Sequence, residues 1–165
     1  MAKFSTCQFE EQGGRIMFLL PYVRRSSGSD SNITNNANGS CTIKDTTWAM
    51  SWTPDGTGFV PISPSGKTYY YDITYSNTSG NQLYIGVEKY DINKGTGSNE
   101  ECQYMVDGDT AARDHYRVFG TVSLANANGG TAAYARLRIL NAWNGSSASK
   151  IATIHECIFM EIDSL

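Results

Sequence analysis

Charge is scarce in this sequence: Asp, Glu, Lys and Arg make up 18% of it, against about 25% in an average soluble domain. The few charges are nearly balanced, 13 basic against 16 acidic for a net charge of -3. No basic footprint is present for nucleic acid or an anionic membrane surface. Long apolar runs are missing too. Ile16-Met17-Phe18-Leu19-Leu20 falls far short of the ~20 residues that cross a bilayer. Cysteines are few and scattered: Cys7, Cys41, Cys102 and Cys157 form no CxxC or CxxH pair, which argues against zinc. Free thiols are expected because a chain of this size needs no staples, although four cysteines also permit three disulfide connectivities.

Catalytic constellations are equally absent. Glycoside hydrolysis needs two carboxylates facing each other across a cleft, whereas Glu100 and Glu101 are adjacent and point apart on an extended backbone. His115 and His155 have no recognisable partner for a triad or a metal. Gly95-Thr96-Gly97 and Gly129-Gly130 are turn glycines, with no phosphate loop around them. No enzyme is expected, and no cofactor is required. The residues after Met1-Ala2-Lys3 are polar, so no signal peptide is expected. A virus particle and a fragment of a larger secreted protein are both compatible with this.

What the sequence does have is tyrosine, glycine and regular punctuation. With 10 Tyr and 16 Gly, it favours pleated strands and tight turns over helices. The 165 residues match one domain. Strand candidates fall at 47–52, 59–62, 68–76, 82–91, 102–106, 115–124, 133–141 and 150–162, after a buried strand at 16–20. Residues 26–40 are nearly all Ser, Asn, Gly and Asp and are expected as a long exposed loop. A single helical turn is expected over 109–114. Short strands at this spacing predict an all-β, two-sheet antiparallel sandwich, one domain over 1–165.

Alternation sorts the faces of three strands. Leu83, Ile85 and Val87 oppose Tyr84, Glu88 and Tyr90. Ala135, Leu137 and Ile139 oppose Tyr134, Arg136 and Arg138. In the Tyr69 to Tyr75 segment the odd positions are expected in the core and Tyr70, Asp72 and Thr74 outside. Trp48 and Trp52 share a parity with Met50 and are expected in the core. Tyrosine rings can cover the C–H face of a sugar ring, and Glu88, Arg136 and Arg138 match its hydroxyl rim. The same residues also suit a solvated sheet face with Glu88 paired to an arginine.

The order of four segments resembles the jelly-roll carbohydrate-binding modules of the xylan- and glucan-binding type, found in glycoside hydrolases and phage tail proteins. They are Ser65-Gly66-Lys67-Thr68-Tyr69, Ile85-Gly86-Val87-Glu88-Lys89-Tyr90-Asp91, Tyr116-Arg117-Val118-Phe119-Gly120-Thr121-Val122, and Ala135-Arg136-Leu137-Arg138-Ile139 followed by Ile158-Phe159-Met160-Glu161-Ile162. The first 46 residues match less well. The resemblance implies that 82–91 and 133–141 share one sheet and 68–76 lies in the other. It gathers Tyr84, Glu88, Tyr90, Tyr134, Arg136 and Arg138 on a concave glycan-binding face. Trp143 would wall one end of the cleft or cap the core. It further implies non-catalytic binding of an oligo- or polysaccharide, or contacts with other subunits of an assembly through the same face. A structural calcium held by Glu10 or Glu11 with Glu161 or Asp163 is also implied.

Overall fold

The computed structural model describes residues 15–18, 23–25, 30–45, 47–51, 59–62, 68–94, 100–124, 126–127, 130–141 and 150–162. These form fourteen strands and one 3-10 turn. In chain order they are β1 (Arg15–Phe18), β2 (Val23–Arg25), the 3-10 turn Asp30–Asn32, β3 (Ile33–Asn35), β4 (Cys41–Lys44), β5 (Thr47–Ser51), β6 (Val60–Pro61), β7 (Thr68–Asn77), β8 (Leu83–Tyr90), β9 (Glu100–Asp109), β10 (Arg113–Ser123), β11 (Asn126–Ala127), β12 (Gly130–Thr131), β13 (Tyr134–Asn141) and β14 (Ile151–Ile162).

Among the described residues the first sheet runs β10-β7-β14-β4-β3, with β1 also on β14. The second runs β2-β5-β13-β8-β9, with β6 also on β13. All pairings are antiparallel. The two sheets close on one core, in which Ile43, Ile73, Ile154 and Phe159 of the first meet Leu83, Ile85, Val87, Leu137 and Ile139 of the second. Each such side chain contributes roughly 1.5–3 kcal/mol of burial. The all-β two-sheet sandwich is therefore the fold, with β8 and β13 neighbours in one sheet and β7 in the other.

Alternation explains the strands that were expected. In β7, Tyr69, Ile73 and Tyr75 are buried while Tyr70, Asp72 and Thr74 are only partly covered. The Tyr69 ring stacks on Phe159 at 5.6 Å.

Two expectations are corrected. The loop at 26–40 contains a strand, β3, because Ile33 packs on the core and pairs with Ile43 of β4. No helical turn forms at 109–114: the Asp109 carboxylate accepts from the Ala111 N–H at 3.1 Å and from Arg113 Nε at 2.9 Å. That local bonding reverses the chain from the edge of one sheet to the edge of the other. Ala49 of β5 is buried and pairs with core Ile139. The side chains of Trp48 and Met50, like the whole of Trp52, lie outside what the structure describes. Cys41, Cys102 and Cys157 are free thiols, and Cys7 lies outside the described residues. Among the described residues no helix is long and apolar enough to cross a membrane.

Candidate functional site

The outer face of the second sheet is laid out by register. Leu140 sits opposite Tyr84, Arg138 opposite Gly86, Arg136 opposite Glu88 and Tyr134 opposite Tyr90. On the far side of β8, Tyr104 sits opposite Gly86 and Cys102 opposite Glu88. All six β8 and β13 residues expected on one surface are thus on it. Trp143 lies outside the described residues.

They are not equivalent once there. Glu88 is only 3% exposed and Tyr90 5%, so the face is recessed at this point. The Glu88 carboxylate accepts from Arg138 Nη1 and from the Tyr90 hydroxyl. An uncommitted Glu88 is therefore not what the fold provides, because a carboxylate buried to this degree needs compensating donors. Tyr90 is also clasped by Phe59, edge-on at 4.9 Å. The Arg136 guanidinium lies 4.7 Å from the Phe59 ring centre and 5.7 Å from that of Tyr90. Lys94 Nζ stands 4.1 Å over the Tyr134 ring. One end of the face is consequently a packed knot of rings and cations, and Tyr134 is not a bare platform.

The opposite half of the face has another character. A Cβ added at Gly86 would come within 2.8 Å of Tyr104 Cδ1, and one at Gly108 within 3.1 Å of the Tyr84 hydroxyl. Each tyrosine of this β8–β9 pair therefore leans into the space left by a glycine of the other strand. The two rings lie 5.3 Å apart, tilted at 58°. Glycine makes this possible twice over, since Gly108 also has a positive φ of 67°, which a side chain would strain. The result is a pair of half-buried rings laid low on the sheet beside the Arg138–Glu88 pair. Burial pushes the Tyr104 hydroxyl up to about 12, and burial likewise pushes the adjoining Cys102 thiol up to about 12. Both are neutral hydrogen-bonding groups at physiological pH, and Cys102 is no nucleophile.

Tyr104, Gly86 and Phe59 were absent from the expected site. A glycine inside an otherwise apolar strand, Leu83-Tyr84-Ile85-Gly86-Val87, signals close approach of another group. Phe59 shares its parity with Pro61, which sits opposite Tyr134.

Of the calcium candidates, Glu161 is buried and its carboxylate accepts from the Tyr69 hydroxyl at 3.2 Å. That role is a core hydrogen bond between β14 and β7. Glu10, Glu11 and Asp163 lie outside the described residues, among which no group of three or more acidic, His or Cys side chains is placed to hold a metal.

The two histidines, forty residues apart in sequence, are brought together by the fold. β14 and β10 flank β7, and each breaks register near Ser76, between Ile154 and Glu156 and between Arg113 and Tyr116. His155 and His115 meet there as a stacked pair, 3.8 Å apart. Ser76 Oγ shares a 2.7 Å hydrogen bond with His155 Nε2, while Asp114 pairs with His115 Nδ1 at 2.7 Å. The acid and the hydroxyl thus sit on different imidazoles, so no Asp–His–Ser relay is formed.

No family profile matches the chain, and no curated protein matches it in sequence. Solved structures match its fold. A family 30 carbohydrate-binding module of the cellulosomal cellulase Cel9D-Cel44B of Clostridium thermocellum superposes with a TM-score of 0.55 at 13% identity, covering 92% of this chain and 99% of that one. The xylan-binding module CBM15 gives 0.54 at 14% identity, covering 92% and 98%. The CBM22-1-GH10 modules of C. thermocellum xylanase 10B, complexed with xylohexaose, give 0.54 at 13% identity, covering 91% of this chain and 28% of that one. At these identities the likeness is one of fold: the chain has the architecture of carbohydrate-binding modules. A phage-tail setting finds no support among these neighbours.

Proposed function

We propose that this chain binds an oligo- or polysaccharide, without catalysis, on the outer face of its second sheet. The observation that carries the reading is the reciprocal Tyr84–Gly108 and Tyr104–Gly86 arrangement. It lays two rings low on the sheet, where a pyranose C–H face can rest on them. Arg138 and Glu88 border the platform, already paired. Sugar hydroxyls both donate and accept, so they can bridge such a pair without stripping either charge of its partner. The structural neighbours bind xylan or belong to a cellulase, which supports a β-linked glycan as the ligand class.

The paired Glu88 also favours a second reading, in which the face makes protein contacts within an assembly. Affinity electrophoresis through gels of soluble plant and bacterial polysaccharides separates the two. Retardation is expected with at least one polysaccharide, weakened about 3- to 10-fold by either Tyr84→Ala or Tyr104→Ala. Tyr70→Ala on the other sheet leaves it unchanged. Retention that survives the Tyr84, Tyr104 double variant sinks the proposed site, and no retention by any glycan leaves the assembly reading.

A further inference from the structure

The turn between β3 and β4, Asn36-Ala37-Asn38-Gly39-Ser40, carries a side-chain arrangement that the pairing of the two strands does not require. Gly39 takes a φ of +87°, and a Cβ there would meet nothing within 4 Å. Ala37 and Asn38 are exposed, whereas Ser40 is buried. The Asn38 side chain folds back along the main chain: its Oδ1 accepts from the Ser40 N–H at 3.1 Å and from the Ser40 hydroxyl at 2.8 Å. Asn36 fixes the direction of the second bond. Its Nδ2 donates to Ser40 Oγ at 2.9 Å, which leaves the hydroxyl proton for Asn38, and each bond in such a chain strengthens the next. Among the described residues no hydrogen bond holds Asn38 Nδ2.

We propose that Asn38 is a self-modification site, at which Ser40 assists deamidation of the side chain through a cyclic imide, with water as the co-reactant. The Gly39 nitrogen, once it has lost its proton to hydroxide, attacks Asn38 Cγ. The N–Cγ bond forms as the carbonyl π pair moves onto Oδ1. Collapse of that adduct breaks the Cγ–Nδ2 bond, and the nitrogen takes a proton from water and leaves as ammonia. Water then opens the imide, at Cγ to leave aspartate or at the main-chain carbonyl to leave isoaspartate, in which the main chain runs through the former side chain. Negative charge develops on Oδ1 in the first step, and both Ser40 donors already face that atom, as donors in an oxyanion hole do. Gly39 has no side chain to crowd its own nitrogen. One bond opposes the reaction: the Gly39 N–H donates to the Asn36 carbonyl at 3.0 Å. In an exposed turn such a bond opens locally at small cost, so it sets the pace of conversion without preventing it. Each event adds a negative charge, and isoaspartate also lengthens the main chain of a hairpin that three residue pairs hold together.

The hairpin belongs to the first sheet, so this proposal and the sugar reading fail independently. The folded chain is incubated in alkaline buffer and digested, and mass spectrometry with electron-transfer fragmentation tells aspartate from isoaspartate at each position. Asn128-Gly129 and Asn144-Gly145 lie outside the described residues and serve as internal references. Conversion at Asn38 is expected, faster as the pH rises. Ser40→Ala is expected to slow it about 3- to 10-fold, the worth of one hydrogen bond, with both references unchanged. Ser40→Thr keeps the hydroxyl and is expected to convert like the parent. An Asn38 that remains an amide in the folded chain overturns the proposal, and so does a Ser40→Ala chain that converts as fast as the parent or faster. A Ser40→Thr chain as slow as Ser40→Ala overturns it as well, since packing and not the hydroxyl would then set the rate.

Discussion

Glu88 and Arg138 show how burial changes the meaning of a charge on a sheet face. Their side chains are 4% and 11% exposed, well below the exposure at which an ion pair contributes almost nothing. Removing one partner strands the other in a recess with little water. Glu88→Ala is expected to cost about 3 kcal/mol in urea unfolding, while Glu88→Leu with Arg138→Met recovers most of it, because the joint change removes both desolvation penalties. A joint variant as unstable as the single one would place the loss in packing instead. Alternation in the sequence put both residues on one face, and that expectation holds. That Glu88 pairs with an arginine was among the readings of the residues themselves, but which arginine was not legible, since the bond is diagonal: Glu88 sits opposite Arg136 and bonds Arg138. The tyrosine platform was half visible. Tyr84 was expected, but Tyr104 was not, because register shifts between Leu83 and Gly86 decide which β9 residue reaches Gly86. No periodicity reports a bulge.

At the scale of elements, two more irregularities bring distant residues together. β10 and β14 both break register beside Ser76 of β7, and the stacked His115–His155 pair is the consequence. Sequence showed two lone histidines forty residues apart and could not join them, since only the order of strands around β7 makes them neighbours. The hidden strand β3 was missed for a related reason: one Ile in a Ser- and Asn-rich stretch is too weak a pattern, and its pairing with β4 supplies the rest. The histidine pair has a pH signature. Burial first, and the His115 charge second, hold the His155 imidazole below its ordinary value, while Asp114 pulls the other way. The folded state thus resists protonation, so this contribution is complete above the unfolded value of about 6.5. It is lost as pH falls through that value toward the depressed one. Asp114, held low by its bond to His115, loses its own contribution only in the carboxylate range. Stability is expected to fall between about pH 7 and 5, by less than about 1.4 kcal/mol per unit, and His155→Gln should flatten that part of the curve. An identical curve for the variant would remove His155 as the cause.

At the scale of the whole molecule, the sandwich is cohesive through more than its apolar core. Three buried asparagines, Asn77, Asn81 and Asn141, stitch the sheets together at the end of the strands where β8 begins. Asn81 Nδ2 donates to Asn77 Oδ1 on β7 at 2.7 Å and to Asn141 Oδ1 on β13 at 2.5 Å, thereby linking one sheet to the other. Asn141 Nδ2 then reaches the carbonyls of Ile43, Asp45 and Lys150 at 3.2, 2.9 and 3.2 Å. Asn77 Nδ2 does the same for Asn81 and Asp109 at 3.0 and 2.9 Å. These carbonyls lie at strand ends and connections, where a lost donor to a buried acceptor costs about 1–3 kcal/mol; that of Lys150 also accepts from the Asp45 N–H at 2.9 Å. Sequence reading passed over all three, because asparagine among turn residues looks like surface. Asn141→Leu preserves the volume but takes a side-chain donor from three carbonyls and the acceptor from Asn81, so it should destabilise more than Leu140→Ala, a simple truncation one residue away, which costs about 2–5 kcal/mol. It should also do so without changing the cooperativity of unfolding, since the shared apolar core still joins the sheets into one unit. If Asn141→Leu were neutral, water would be filling the asparagine's role; if unfolding split into two phases, the belt would be what makes the two sheets melt together.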